Sequence, residues 1–200
     1  MESAEFARRW NEYVARTGNA EAMPLVTVAL PDTRASAQTV RFLAEAGLPQ
    51  GWSGPFTFDL AENLNHVSDV FGCYGQPDDW DPDVYERLNR YMYLGFDGGG
   101  NPICLDSADR EKVVFLDHER FLDPDLRGQF INSSVCQLAE CVLIFQEMLD
   151  DYWQEQGAEA ELYEGNVPAR LVEQALEKMR GADPGMLVEG GYWPEVFSDI

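Results

Sequence analysis

The chain has 200 residues, and its 36 acidic residues against 14 basic ones give a formal net charge of −22 at pH 7. The resulting negative potential disfavours binding to nucleic acid or anionic lipid and favours encounter with basic partners, although it can also serve solubility alone. The apolar runs are too short to cross a membrane and the first ten residues do not resemble a secretion signal, so we expect a cytoplasmic protein.

The first elements are a helix and a strand. Residues 3–16 predict an amphipathic helix with four large apolar side chains on one face: Phe6, Trp10, Tyr13 and Val14. Gly18 ends this helix, and its aromatic face requires a partner surface. Residues 25–30 are rich in β-branched side chains and alternate in polarity, which predicts a strand.

A second helix is predicted over residues 35–46. Three apolar side chains define its expected face: Val40, Leu43 and Ala44. Gly47 suits the left-handed position that follows a helix, and Pro49 prevents the helix from resuming.

Residues 51–82 are rich in Gly, Pro, Asn and Asp and predict a loop, with a short strand at residues 56–58. Near its end four carboxylates surround one aromatic side chain, on a segment where we expect no helix: Asp78, Asp79, Trp80, Asp81 and Asp83. The simplest interpretation is a solvated turn with Trp80 packed inward. The alternative is a protein-binding loop, because tryptophan is over-represented among binding hot spots.

Residues 89–134 predict a β-meander that leads into a helix. Three strands separated by polar turns are expected, at residues 90–96, 103–106 and 112–118. Gly98, Gly99 and Gly100 predict a hairpin turn, since a phosphate-binding loop would open a helix and here a strand follows.

Residues 135–154 predict the best-defined helix. Ser134 and Gln137 have capping-box spacing, and five apolar side chains form one stripe toward the core: Val135, Leu138, Val142, Phe145 and Leu149. The last predicted helix begins near Asn166 and stops at Gly181, and the tail 190–197 is expected to dock as an apolar strip.

The sequence offers little support for catalysis or metal binding. The histidines are His66 and His118, and Asp117 and Glu119 flank the second, but no activated nucleophile lies nearby. The four cysteines include no C-x-x-C pair of the kind that zinc and redox sites need: Cys73, Cys104, Cys136 and Cys141. We expect reduced, mostly buried thiols, no metal, no other cofactor and no enzymatic activity.

Four fragments carry a resemblance to a known family. They are Phe42-Leu43 with Gly47-Leu48-Pro49 and Phe56, then residues 93–98 with Gly100 and residues 103–106, then residues 113–119, and last Phe130-Ile131-Asn132-Ser133-Ser134. In this order they resemble the SUKH superfamily and, within it, the bacterial subgroup called the fourth SUKH immunity family. The resemblance spans residues 25–197.

The resemblance implies an α+β fold with a twisted, largely antiparallel sheet and flanking helices. We expect one SUKH-like domain over residues 1–200, with residues 1–23 as a helical extension. It also implies an immunity protein of a polymorphic toxin system. Such a protein binds and neutralises a cognate toxin, expected here to be a basic nuclease or nucleic-acid deaminase, and contacts neither nucleic acid nor membrane.

Two other functions stay open. One is an interaction or signalling scaffold without a toxin partner, as in the eukaryotic branch of the superfamily. The other is a small hydrolase that uses Asp117, His118 and Glu119. The acidic segment supplies the candidate protein-binding residues: Asp78, Asp79, Trp80, Asp81 and Asp83.

Overall fold

The fold is that of a computed structural model, which describes residues 1–18, 23–28, 35–60, 81–157, 160 and 166–200. These residues form an α+β structure in which helices pack against an antiparallel sheet. The predicted fold class is therefore confirmed. The predictions for Cys73, His66, Asp78, Asp79 and Trp80 lie outside the described residues.

The helices of the described residues are α1 (Ser3–Thr17), α2 (Ala37–Glu45), α3 (Pro82–Leu88), α4 (Val135–Gln156), α5 (Ala169–Ala182) and α6 (Tyr192–Ser198). The strands are β1 (Leu25–Val26), β2 (Leu48–Pro49), β3 (Gly51–Ser53), β4 (Phe56–Phe58), β5 (Tyr91–Asp97), β6 (Pro102–Asp106), β7 (Lys112–Phe115) and β8 (Gln129–Asn132). Strands β1 and β2 form a small antiparallel pair. Strands β3 to β8 form one six-stranded sheet in chain order, so it is a meander throughout.

The large sheet is apolar on both faces. In β5, Met92 and Leu94 enter the main core, whereas Tyr91 and Tyr93 enter a smaller second core. Successive side chains of a strand point to opposite faces, so a continuous apolar run needs cover on both sides. The second core consists of nine buried residues: Val84, Leu88, Tyr91, Tyr93, Cys104, Val114, Leu116, Phe121 and Leu126.

Helix α4 is the centre of the main core. The five side chains of the predicted stripe are all buried, but eight further residues on other sides of the helix are buried too, because the sheet, α1, α2 and α5 all contact it. At its start, the Ser134 hydroxyl accepts a hydrogen bond from the Gln137 amide at 3.3 Å and donates to Gln137 Oε1 at 2.8 Å. The predicted Ser134 cap is therefore present, whereas the Gln137 side chain accepts from the Ser134 hydroxyl and not from its backbone amide.

Helix α1 forms as predicted, and Gly18 ends it in the left-handed conformation. Its four predicted apolar side chains are buried in the main core. Helix α2 follows the prediction only in part: Leu43 is buried as expected, but Val40 is half-buried and Ala44 is exposed, and Thr39 and Phe42 are buried in their place. Phe42 packs against Phe6 of α1 with the ring centroids 5.6 Å apart, which rotates the helix away from the predicted face.

Gly47 connects α2 to the small strand pair. It has φ +72° as predicted, and a side-chain carbon there would lie 2.0 Å from the Val26 carbonyl oxygen. The predicted strand 25–30 is described as far as residue 28, and only Leu25 and Val26 of that part pair with β2.

Two other predicted boundaries are wrong. Helix α5 continues through Gly181 to Ala182, and β7 ends at Phe115 rather than His118. After β7 the chain forms a 3-10 turn over His118–Arg120, whose first amides are satisfied in part by the Asp117 carboxylate.

A buried polar cluster joins β8, α4, α5 and α6, and we call it the Asn132–Asp183 network. Asn132 Nδ2 donates to Asp183 Oδ2 at 2.9 Å, and Asn132 Oδ1 accepts from Trp193 Nε1 at 3.0 Å. Asp183 also accepts from the Ser133 amide at 2.7 Å and from the Ser133 hydroxyl at 2.8 Å. The Gly185 amide donates to the same carboxylate at 3.2 Å. Asn132 and Asp183 are 0% and 1% exposed.

The β5–β6 hairpin turns at the predicted glycines. Asp97 Oδ1 accepts from the Gly99 amide at 2.9 Å and from the Asn101 amide at 2.8 Å, and Gly100 has φ +81°. Replacing Gly100 by valine should lower the free energy of unfolding by more than about 1 kcal/mol, because β-branched residues are strained at positive φ. Chemical denaturation measures the loss.

Gly98→Val is the matched control for this turn. Gly98 has no positive φ, and a side-chain carbon would meet nothing within 4 Å at either glycine, so only backbone strain separates the two variants. Equal stability of both variants would contradict this description of the turn.

Replacing Asp183 by alanine should cost at least about 2 kcal/mol of unfolding free energy. The change leaves the Ser133 amide and the Asn132 side chain without their buried acceptor, and unsatisfied buried groups cost about 1–3 kcal/mol each. Asp151→Ala, at an exposed position of α4, is the control and should stay within about 0.5 kcal/mol of the parent protein. Similar denaturation midpoints for the two variants would show that the network contributes little.

Candidate protein-binding surface

The structure describes two of the predicted protein-binding residues, Asp81 and Asp83, at the start of α3. Residues 82 and 83 are helical, which corrects the expectation that this segment has no helix. The Asp81 carboxylate caps the helix by accepting from the Asp83 amide at 2.9 Å, and Pro82 occupies the first turn, where its missing N–H costs nothing. Asp81 and Pro82, which suggested a turn, therefore mark the start of a helix.

Helix α3 packs beside the β7–β8 connection, residues 117–127, on the face of the sheet opposite the main core. Val84 and Leu88 of α3 share the second core with Phe121 and Leu126. Arg87 Nη2 also donates to the Phe121 carbonyl oxygen at 2.9 Å. Together α3, Asp81 and residues 117–127 form one surface, which we call the acidic surface.

The 117–127 segment is held by hydrogen bonds at both of its turns. The Asp123 amide donates to the Arg120 carbonyl oxygen at 2.9 Å, and the Leu126 amide donates to the Asp123 carbonyl oxygen at 3.1 Å. His118 is tied to the β5–β6 hairpin, because its amide and its Nδ1 lie 3.2 and 2.8 Å from Asn101 Oδ1. An amide oxygen is an acceptor only, so Nδ1 carries the hydrogen in this contact.

Carboxylates outnumber cationic side chains on the acidic surface. Its acidic residues are Asp81, Asp83, Glu86, Asp117, Glu119, Asp123 and Asp125, and its basic side chains are Arg87, Arg120 and Arg127. Arg120 Nε pairs with Asp123 Oδ2 at 2.8 Å, and the other ion pairs found in the described parts of the chain lie elsewhere. Most carboxylates of this surface are therefore free to attract a basic partner.

The hydrolase alternative depended on Asp117, His118 and Glu119. In the structure the Asp117 carboxylate accepts from the Glu119 amide at 3.0 Å, and the His118 ring contacts Asn101, a neutral amide. His118 and Glu119 are exposed. This geometry uses the carboxylate to cap a turn and holds the imidazole with an amide, so it does not orient a general base toward a nucleophile.

The described cysteines Cys104, Cys136 and Cys141 are free and buried, as expected. Burial raises the pKa of Cys141 to about 12 and raises the pKa of Cys104, so both thiols stay protonated and unreactive at neutral pH. Across the described ranges no group of three or more His, Cys, Asp or Glu side chains could hold a metal ion. None of the helices described is both long enough and apolar enough to span a membrane.

Comparison with known proteins identifies the family. The sequence model of the SUKH-4 immunity protein family matches residues 14–199, which is nearly the whole chain. No curated protein and no solved structure matches the chain significantly. The chain therefore belongs to the SUKH-4 immunity protein family, and the resemblance found in the sequence is confirmed.

The sequence did not predict that residues 117–127 and α3 lie together. One residue there, Leu122, is 75% exposed and stands out among the large apolar side chains described. A local signal was present, since Asp123-Pro124-Asp125 repeats the Asp-Pro-Asp sequence of residues 81–83. Packing of the two segments on one core is a tertiary property that the local pattern does not encode.

Replacing Phe121 by alanine should free the 117–127 segment and cost about 3 kcal/mol of unfolding free energy. Phe121 is 6% exposed, and removing a buried ring leaves a cavity in a small core. Amide hydrogen exchange should accelerate most at residues 118–126. The neighbouring Leu122→Ala is the control and should leave stability and exchange unchanged, and equal effects of both variants would contradict the described anchoring.

Proposed function

We propose that this immunity protein neutralises a basic nuclease or nucleic-acid deaminase toxin in the cytoplasm by binding it tightly, without catalysis. Family membership supports the immunity class. The net charge of −22 supports a basic partner, because potentials of opposite sign steer association and like charges repel. A toxin that acts on nucleic acid needs cationic side chains for the phosphates, and carboxylates can compete for the same side chains.

Residues 78–83 are the proposed point of first contact. Asp81 and Asp83 lie at the N-terminus of α3, at one end of the acidic surface, and Asp78, Asp79 and Trp80 precede them in the chain. Carboxylates on an exposed element act mainly on the rate of encounter, whereas a buried aromatic contact acts mainly on dissociation. We propose that the four aspartates steer the toxin and that Trp80 holds it.

Residues 1–200 are proposed to act as one domain. Phe6 and Trp10 of α1 are fully buried in the main core, and Trp10 Nε1 donates to the Met23 carbonyl oxygen at 3.0 Å. An extension that supplies this much of the core is part of the folding unit. The family match, which begins at residue 14, includes the last four residues of the same helix.

We propose that a neighbouring gene encodes the toxin domain, and this domain is the probe that tests the proposal. Co-expression of the two should restore growth to cells that the toxin kills. The association rate between the protein and a catalytically inactive form of that domain should fall by about tenfold or more between about 50 and 500 mM salt. The Debye length shrinks over this range from above about 10 Å to a few ångströms, which screens the steering field.

Loop variants provide the internal comparison. Converting Asp78, Asp79, Asp81 and Asp83 to Asn should lower the association rate at low salt, and Trp80→Ala should raise the dissociation rate. Absence of protection and of binding would contradict the immunity proposal. Binding that does not respond to salt would remove its electrostatic part, and unchanged rates in both loop variants would remove residues 78–83 from the interface.

A further inference from the structure

We propose that Leu122 is the apolar anchor of the toxin interface and that the acidic surface around it is the docking site. The inference rests on the proposed function and extends it, because it adds the β7–β8 connection, as a second anchor, to an interface whose first contact is residues 78–83. The partner chemistry is a protein surface with an apolar recess bordered by lysine and arginine side chains.

The exposure of Leu122 is enforced by its neighbours. Leu122 is 75% exposed, while Phe121 before it and Leu126 after it are 6% and 7% exposed in the second core. Hydrogen bonds close the backbone turn on either side, and Arg87 holds the Phe121 carbonyl oxygen at 2.9 Å. Leu122 cannot turn inward without removing Phe121 from its core.

A side chain that is already fixed in its binding position raises the affinity of the complex. The ordering cost of a flexible loop reduces the net free energy of association, and a segment closed by its own hydrogen bonds has largely met that cost before the partner arrives. Burial of the exposed leucine side chain then contributes the hydrophobic term, which is the main favourable part of most protein association.

The charges around Leu122 select the partner. Glu119 and Asp125 lie three residues to either side of it, both exposed and without an ion pair among the described residues. Asp123 is paired with Arg120 and fixes the turn. An exposed apolar side chain flanked in the chain by two unpaired carboxylates matches a recess bordered by basic side chains, as expected where a nuclease or deaminase holds phosphate groups.

The same charges disfavour a second copy of this chain as the occupant. A two-fold symmetric contact places the same surface on both subunits, so the carboxylates of one copy would face those of the other. Like charges brought together at an interface weaken association. Nucleic acid is disfavoured for the same reason.

The test measures binding of the inactivated toxin domain encoded beside this gene by surface plasmon resonance. Leu122→Ala should raise the dissociation rate by about tenfold or more, with a smaller effect on association. Val188→Ala is the matched control. Val188 is an exposed aliphatic side chain, 45% accessible, in the connection between α5 and α6, and its removal should leave both rates unchanged.

A second pair of variants tests the charge. The double change Glu119→Gln and Asp125→Asn should lower the association rate severalfold at low salt. The control is Glu173→Gln with Glu177→Gln, which removes the same charge from exposed positions of α5, a helix that packs on α4 at the main core. This control should reduce association less than the first pair.

The outcomes separate the two proposals. If the parent protein binds and Leu122→Ala dissociates no faster, the inference is overturned whatever the charge variants do, and the proposed function stands. Equal effects of Leu122→Ala and Val188→Ala also overturn it. If the parent protein itself does not bind the toxin domain, the proposed function fails with the inference.

Discussion

The structure depends on one buried carboxylate. Asp183 is 1% exposed, and the partners described for it are two amide N–H groups, a hydroxyl and the Asn132 side chain, with no cation among them. Burial of a charge is tolerated only when hydrogen bonds replace its water. That requirement fixes the β8–α4 junction against the end of α5, and Trp193 extends it to α6 through Asn132. The Asn132-Ser133-Ser134 fragment that carries part of the family resemblance is therefore architectural, and its side chains are used inside the fold.

The sheet is apolar on both faces, so a hydrophobic core lies on each side of it, and the two cores differ in size. The main core is covered by long helices that enclose α4, whereas the second core is covered by the seven-residue helix α3 and the β7–β8 connection. The β7–β8 connection has few apolar side chains with which to cover the second core, and Phe121 and Leu126 are the two that it buries there. Ion pairs follow the same division, since Arg9 and Arg16 of α1 meet carboxylates of α4. The unpaired carboxylates of the acidic surface thus lie where the cover is thinnest.

The sequence was sufficient where local pattern and tertiary packing agree. The periodicity of α1 and α4 and the glycines of the β5–β6 turn predicted those elements because each depends on residues close in the chain. Prediction from the sequence failed where a contact between residues distant in the chain determines the local structure. The buried face of α2 follows Phe6, and α5 ends one residue beyond the expected stop at Gly181, next to Asp183, whose carboxylate accepts from Asn132 of β8. Helix α3 was missed because Asp81 and Pro82 read as a turn although both residues also start helices. The exposure of Leu122 depends on two neighbours being anchored in a core that is built from distant strands.

Charge and shape contribute differently to recognition on such a surface. A net charge of −22 accelerates encounter with many basic proteins, so it cannot by itself distinguish one toxin from another. Discrimination needs a short-range feature that fits the recess of one toxin. In other toxins the same feature either clashes with the surface or leaves the recess unfilled. A side chain held outside both cores by a rigid segment can supply that feature, because its replacement changes the fit at the interface and leaves the packing beneath it intact. Stability then resides in the Asn132–Asp183 network and the two cores, and specificity can vary at Leu122 without cost to the fold.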